Sequence, residues 1–281
     1  CGVFLGAYGR ATALRRRWRP GPAPLAELLR RVGRLDGLWR VRLSSLEPGD
    51  VTDELLDVAA ALGTFAPHFH LPLQSGSADV LARMNRQYTP DDYAQAAERI
   101  RRRFDRPAIT ADVIVGFPGE TDADFAATLR RLRAAGVAKV HAFPFSPIRP
   151  TAAWRQRDQA PPAELVRQRL GRLAALERAL AGAYARRLIG ETLEVLVEGG
   201  DGPDGPQVAG RICRGRTDRY LPARFAGAPG ARWAGRVVPV RVIACIPGRG
   251  GAWELAGRRA DASPPAAGAA APASRRAGPT G

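Results

Sequence analysis

The sequence predicts an α/β fold in which a parallel sheet or barrel is followed by a smaller antiparallel β barrel. In the first part of the chain, strand-like apolar runs alternate with helical patterns, which is typical of β/α repeats. These runs are Val3–Leu5, Trp39–Leu43, Phe69–Leu73, Ile109–Val115 and Lys139–Phe145. In the last third, short β-like runs are separated by Gly, Pro and Asp turns, which is typical of a small antiparallel barrel.

Capping signals mark the predicted helices between the strands. Thr89 is a predicted N-cap, followed by a proline in the first turn and by two acids near the positive helix end. Thr121 to Asp124 opens the next helix similarly, and Gly136 ends it. A longer amphipathic helix follows Pro162.

The change of pattern divides the chain into three predicted parts: residues 1–186 (barrel), 187–260 (β module) and 261–281 (tail). The β-like runs of the module are Thr192–Glu198, Gln207–Cys213, Tyr220–Phe225, Arg236–Ile246 and Trp253–Ala256. The tail consists of Ala, Pro, Gly and Ser with two arginines, a composition that predicts disorder.

Charge and hydropathy limit the class of protein. The net charge is +16, and Lys139 is the sole lysine among 43 basic residues, so the positive charge is almost all guanidinium, which matches phosphate groups well. A polyanionic partner is one interpretation; a base composition that favours arginine codons is the other. No apolar run reaches the roughly 18 residues that span a bilayer, so we expect a cytoplasmic protein without a membrane partner.

The three cysteines, Cys1, Cys213 and Cys245, are too far apart in sequence to predict a metal cluster. The sole methionine is Met84, so the sequence does not begin at a translation start. A processed lipoprotein with an N-terminal cysteine is one explanation, and a fragment is the other. The apolar run Gly2–Gly9 resembles the end of a buried strand and favours the fragment.

Polar and glycine residues follow four of the predicted strands. Because ligands bind at the carboxyl ends of parallel strands, these positions predict one shared site. They are Ser44, Ser45, Glu47, Gln74, Ser75, Gly76, Ser77, Gly116, Gly119, Glu120 and Ser146. Each short motif is also compatible with an ordinary turn or helix cap.

Four polar residues lie inside the predicted strands or beside them. His68, His70 and His141 lack the spacing of a metal-ligand set, and we expect structural roles for them. Asp112 lies within an apolar strand, where it would be either a member of a hydrogen-bonded network or a ligand contact; we favour the network.

Six segments together resemble the radical-SAM methylthiotransferases. They are Arg42–Pro48 (RLSSLEP), Val51–Leu56, His70–Ser77 (HLPLQSGS), Val80–Thr89, Ile109–Phe125 (ITADVIVGFPGETDADF) and Lys139–Pro147. Within that family, RLSSLEP, Met84–Arg86 and Lys139–His141 resemble the branch that modifies N6-threonylcarbamoyladenosine in tRNA.

The resemblance implies a partial TIM-like radical-SAM barrel followed by a TRAM-like module, a small RNA-binding barrel. Thr217–Leu221 resembles the run characteristic of that module. Between Arg187 and Arg259 there are twelve arginines and seven acidic residues, which is compatible with phosphate binding.

The resemblance also implies S-adenosyl-L-methionine as cofactor and assigns residues to its parts. By that assignment the methionyl group lies at Ser44 and Glu47, the ribose at Gln74 and Ser75, and the adenine at Val115 and Gly116. It identifies no catalytic side chain and no metal ligand within this chain.

Family members also hold two [4Fe–4S] clusters, on cysteines that would lie upstream of Cys1, so ligands for either cluster are expected only in the full-length protein. The segment Ser146–Ala152 lacks the glycine of the corresponding family turn, so a reshaped loop is expected there.

The implied reaction adds a methylthio group to C2 of N6-threonylcarbamoyladenosine at position 37, in the anticodon stem-loop of tRNA. The alternatives are the isopentenyladenosine or ribosomal-protein branches, or a clusterless RNA-binding remnant. The sulfur donor and the oligomeric state are not implied.

Overall fold

The computed structural model describes residues 24–200, 212–227, 233–248 and 252–260, together with Leu5 and Tyr8. The helices are α1 (Pro24–Val32), α2 (Asp53–Ala61), α3 (Ala78–Arg83), α4 (Pro90–Arg103), α5 (Asp122–Ala135), α6 (Ala152–Arg155) and α7 (Ala163–Arg186). The strands are β1 (His68–His70), β2 (Ala108–Val115), β3 (Lys139–Pro144), β4 (Thr192–Gly200), β5 (Ile212–Thr217), β6 (Pro222–Ala226), β7 (Val237–Pro247) and β8 (Trp253–Arg259).

The first part of the fold is a parallel sheet in the order β1-β2-β3. One face of the sheet is apolar and packs against helices. Its buried residues include Phe69, Ile109, Ala111, Val113 and Val140, which share a core with residues of α2, α4, α5 and α7. The parallel sheet predicted from the β/α alternation is therefore confirmed.

Two of the predicted strands differ in the structure: one is shorter and the other does not form. Strand β1 ends at His70, ahead of Pro72, which has no N–H to donate. The N–H groups of Leu71 and Leu73 nevertheless still donate to the carbonyl oxygens of Thr110 and Asp112. The prediction of a strand over Trp39–Leu43 is wrong, since only Val41 forms a bridge, to Phe65.

The predicted strand Val3–Leu5 lies outside the described residues apart from Leu5. The N–H of Leu5 donates to the carbonyl oxygen of Ser45 at 3.4 Å.

The predicted helix caps are confirmed. The side chain of Thr89 accepts from the N–H of Asp92, whose carboxylate accepts from Thr89, and Thr121 and Asp124 form the same reciprocal box. Gly136 ends α5 in the left-handed conformation, with φ of 51°. These caps fix where α4 begins and where the loop after β2 enters α5.

The second part of the fold is a closed barrel in the order β4-β5-β6-β8-β7. Neighbouring strands in this barrel are antiparallel, except that β6 and β8 are parallel to each other. Residues 207–211 of one predicted run lie outside the described residues. The predicted start of another run at Tyr220 is wrong, because Tyr220 has φ of 63°, which a strand does not accommodate, and β6 begins at Pro222.

Helix α7 joins the two parts, and its last turns pack on the barrel. Tyr184, Ala185 and Leu188 share a core with the barrel strands. The indole N–H of Trp253 in β8 donates to the carbonyl oxygen of Arg178 at 2.9 Å. The part boundaries at residues 186 and 260 remain predictions, and the predicted tail lies outside the described residues.

A contact from the barrel also reaches the sheet. Arg219 donates to the carbonyl oxygens of Asp105 and Arg106, in the turn that precedes β2.

In the described part of the chain, no helix combines the length and apolar character needed to cross a membrane.

Two glycines of α7 provide a matched test of this joint. A Cβ on Gly182 would lie 2.7 Å from the indole of Trp253, whereas a Cβ on Gly171 would meet nothing within 4 Å. Overpacking costs about 1–3 kcal/mol, and replacing glycine by alanine in a helix returns about 1 kcal/mol. We expect Gly171→Ala to raise the free energy of unfolding and Gly182→Ala to raise it less or lower it, as measured by urea denaturation. Equal stabilisation by both would contradict this packing.

Candidate functional site

The predicted site residues after β1 and β2 lie at the carboxyl ends of two neighbouring parallel strands. Gln74 follows β1 and Gly116 follows β2, and both have positive φ, 61° and 83° respectively. Gln74 bridges to Val113, and its carbonyl oxygen accepts from the N–H of Ile114 at 3.0 Å. The chain thus turns sharply away from the sheet at two adjacent positions.

The backbone around Gly116 is held by other parts of the chain. Its N–H donates to Oε2 of Glu120 at 2.8 Å. A Cβ at Gly116 would lie 2.6 Å from a methyl group of Val166 in α7. The carbonyl oxygen of the preceding Val115 accepts from the N–H of Phe145 at 2.8 Å. This glycine is therefore required both by its φ and by close packing.

Ser75 is fully buried and does not face an open edge. Its hydroxyl lies 3.4 Å from that of Thr128 in α5, and it accepts from the N–H of Ser77 at 3.2 Å. Its visible role is to hold the loop after β1 against α5. Gln74 is the other residue assigned to the ribose. Its side chain has no hydrogen-bond partner among the described residues.

Ser44 and Glu47 lie on a segment that runs beside β1. In this segment, the N–H of Leu46 donates to the carbonyl oxygen of His70 at 3.0 Å. Glu47 is half-buried, with a carboxylate oxygen 3.8 Å from the guanidinium of Arg86. Burial raises the pKa of Glu47, nearby Asp50 raises it further, and Arg86 lowers it.

The structure does not bring the six assigned residues into one cavity: four lie where the chain leaves β1 and β2, and Ser44 and Glu47 lie on the segment beside β1. Glu47 lines a small pocket of 270 Å³ with Tyr88 and Arg99. Ser44 lines a larger groove described below. Gln74, Ser75, Val115 and Gly116 line neither of these two.

The face of the sheet opposite the helices is polar, which the sequence analysis did not predict as a unit. His70 places Nδ1 2.8 Å from the hydroxyl of Thr110 and Nε2 3.1 Å from a carboxylate oxygen of Asp112. His141 pairs with Asp112 across β2 and β3. The network preferred for Asp112 is confirmed. The two-residue alternation of strands was the available signal, since it places these side chains on one face.

A groove of about 1230 Å³ separates this polar face from the β barrel. Six basic side chains line it, together with three acids. The basic residues are Arg42, Lys139, Arg214, Arg216, Arg219 and Arg224, and the acids are Glu177, Glu198 and Glu254. The positive excess makes the groove suited to an anionic ligand.

Tyr220 enters this groove from the barrel. The guanidinium of Arg42 lies 4.0 Å from the centre of its ring and that of Arg216 lies 4.8 Å away. The ring of His68 meets it at 5.5 Å, edge on. Cation–π attraction therefore links the sheet to the barrel at this point.

The described residues do not fit an iron–sulfur cluster. The two cysteines among them, Cys213 in β5 and Cys245 in β7, belong to the β barrel, away from the carboxyl edge of the sheet. Within the described part of the chain, no three His, Cys, Asp or Glu side chains are grouped so that they could hold a metal ion.

His68 lines the groove and is 4% exposed, and its Nδ1 has no hydrogen-bond partner among the described residues. Burial, aided by the charge of Arg42, lowers the pKa of His68 to about 3. Because the unfolded chain has a pKa near 6.5 at this position, the unfolded state alone binds the proton between these values. Stability is then lost as pH falls below about 6.5.

We expect the free energy of unfolding to fall by about 2 kcal/mol between pH 7 and pH 5 because of this histidine. Urea denaturation at the two pH values measures it. His68→Gln should reduce the pH dependence by that amount, whereas His141→Gln, on the exposed part of β3, should leave most of it. An unchanged slope in the His68 variant would contradict the assignment.

Comparison with known proteins adds to this geometry. Residues 18–132 match the sequence model of the Radical SAM superfamily. Among solved structures, coproporphyrinogen III oxidase of Escherichia coli, a radical SAM enzyme, superposes with a TM-score of 0.45 at 21% identity, over 57% of this chain and 36% of that one.

The chain is similar to proteins named tRNA-2-methylthio-N(6)-dimethylallyladenosine synthase. The protein of Parafrankia sp. (strain EAN1pec) is 37% identical over 249 residues, which are 89% of this chain and 48% of the relative. That of Frankia alni is 38% identical over 270 residues, or 91% and 52%. The chain spans about half the length of the curated relatives it matches. Over that half, it is a relative of the radical-SAM tRNA methylthiotransferases, a family of enzymes.

Proposed function

We propose that this chain is the cofactor-binding and RNA-binding portion of an enzyme that adds a methylthio group to a modified adenosine of tRNA. The observation that carries the proposal is the similarity to the named synthases over about nine tenths of the chain. The geometry supports it, because a strand-end edge with two sharp turns lies on the same sheet as a basic groove.

We propose N6-dimethylallyladenosine, that is, isopentenyladenosine, as the nucleoside that is modified. The support is the activity for which the relatives are named. None of them supports the threonylcarbamoyladenosine branch expected from RLSSLEP, Met84–Arg86 and Lys139–His141. That branch is the second candidate, and those motifs alone favour it.

The donor groups after β1 and on the segment beside it fit S-adenosyl-L-methionine in part. The carboxylate of Glu47 and the hydroxyl of Ser44 suit the charged methionyl end, and the side chain of Gln74 suits ribose hydroxyls. Val115 and Gly116 form an apolar strand end for the adenine, although the Gly116 N–H is already bound to Glu120. When bound, this cofactor supplies the radical chemistry that no protein side chain can provide at an aromatic carbon. The role of the chain is to bind and orient it.

The groove between the sheet and the β barrel suits the phosphates of an RNA stem-loop. Guanidinium groups bind phosphate oxygens in bidentate fashion, and most of the basic residues of the groove are arginines. We propose the anticodon stem-loop of tRNA as the partner at this surface, which would place the protein in the cytoplasm.

The activity is tested by mass spectrometry of tRNA nucleosides from cells with and without the gene that encodes this chain. We expect loss of the methylthio form of dimethylallyladenosine and accumulation of the form without it. Loss at threonylcarbamoyladenosine instead would establish the second candidate. No change in either nucleoside, with tRNA binding retained, would establish a clusterless RNA-binding remnant.

The RNA surface is tested with arginine variants. We expect Arg216→Ala and Arg224→Ala each to weaken binding of an anticodon stem-loop severalfold and to reduce the slope of log affinity against log salt by about 1. Fluorescence anisotropy at several salt concentrations measures both. Arg102→Ala is the matched control, since this exposed arginine lies on α4 and pairs with Glu98. Equal effects in all three variants would contradict the proposed surface.

A further inference from the structure

The loop between β2 and α5 is attached to helix α7 by a buried ion pair that no sequence motif predicts. Nη1 of Arg169 donates to Oε2 of Glu120 at 2.8 Å, and both side chains are at most 2% exposed. Nη2 of the same guanidinium donates to Asp122 at 2.7 Å. Asp122 is largely exposed, so the pair with Glu120 is the buried part of the contact.

Glu120 links Arg169 to the backbone at the end of β2. Its Oε2 accepts from Arg169 and also from the N–H of Gly116, each at 2.8 Å. Burial raises the pKa of Glu120, while the Gly116 N–H and the charge of Arg169 lower it. The guanidinium therefore favours the ionised carboxylate that accepts the Gly116 N–H.

A second residue of α7 packs closely against the same glycine. Val166, one turn before Arg169, lies where a Cβ of Gly116 would be. Nε of Arg169 is buried without an acceptor among the described residues, which is unfavourable by itself. A buried guanidinium that leaves one donor unpaired is a costly way to pack a helix, and a role in fixing the loop accounts for its presence.

We propose that Arg169 is a positioning residue that acts through Glu120 to fix the backbone at Gly116, where the adenosyl part of the cofactor binds. This rests on the proposed function, because the cofactor position at Gly116 is itself a proposal. The Arg169 side chain is 2% exposed, so it would act through the backbone at Gly116 and not by contact with the ligand. Its effect is to keep the turn at φ of 83° in one conformation before the ligand arrives.

Two measurements on the 281-residue chain test the proposal. The first is hydrogen exchange at the Gly116 amide, which needs no ligand. The second is the affinity for S-adenosylhomocysteine by calorimetry. In Arg169→Met we expect exchange at Gly116 to accelerate and the affinity to fall, each by roughly tenfold or more. Amides of the β barrel should exchange as before.

Arg172→Met is the matched control. Its guanidinium lies over the same Phe125 ring as that of Arg169, at 5.3 Å against 5.6 Å, but it is exposed and has no described bond to the loop. We expect neither measurement to change in this variant. If Arg169→Met does not fold, Arg169→Lys replaces it: the ammonium keeps the charge but cannot bond both carboxylates in the planar geometry, so intermediate effects are expected.

The outcomes separate the inference from the proposed function. Unchanged exchange at Gly116 in the Arg169 variants would overturn the positioning role. Faster exchange with unchanged affinity would show that the contact holds the loop without serving the ligand, which also overturns it. Failure of the unaltered chain to bind S-adenosylhomocysteine would count against the proposed function, and the exchange rates would still decide whether Arg169 fixes Gly116.

Discussion

The central strand β2 determines most of what this chain can do, because it is paired on both sides and its side chains alternate between two environments. Ile109, Ala111, Val113 and Val115 point towards the helices and form the core. Thr110 and Asp112 point the other way, towards the groove. The burial of one set fixes the register of the other, since a slip by one residue would exchange the two faces. The polar face is thus a consequence of the packing of the core.

Much of the fold could be predicted from the sequence, because its strongest signals are local. The helix ends at Thr89, Thr121 and Gly136 are set by hydrogen bonds to backbone or side-chain groups within four residues. The failures have a different origin. The Trp39–Leu43 run has the composition of a strand, but only Val41 forms a bridge. Tyr220 looks like a strand residue by type, yet cation–π contacts with Arg42 and Arg216 accompany a left-handed backbone there. Neither tertiary effect can be seen in a single sequence.

For the candidate site, sequence reasoning predicted which residues follow the strands but could not assign the directions of their side chains. Ser75 and Gln74 are neighbours in one motif, but the hydroxyl of Ser75 is buried against α5. The Arg169–Glu120 pair joins positions 49 residues apart, and no spacing rule links them. Contacts of this kind depend on how α7 crosses the sheet, which is decided by the summed packing of many side chains.

Helix α7 contacts the turn after β2 near its first residues and the β barrel near its last. Its 24 residues correspond to about 36 Å of rise. An α-helix of this length bends little, so it keeps the two ends at a nearly constant separation. If RNA binds at the barrel and the cofactor binds at the turn after β2, as proposed, only a base that lies a set number of nucleotides from the bound phosphates can reach the cofactor. Discrimination by distance would then be built into the scaffold, before any contact with the base itself.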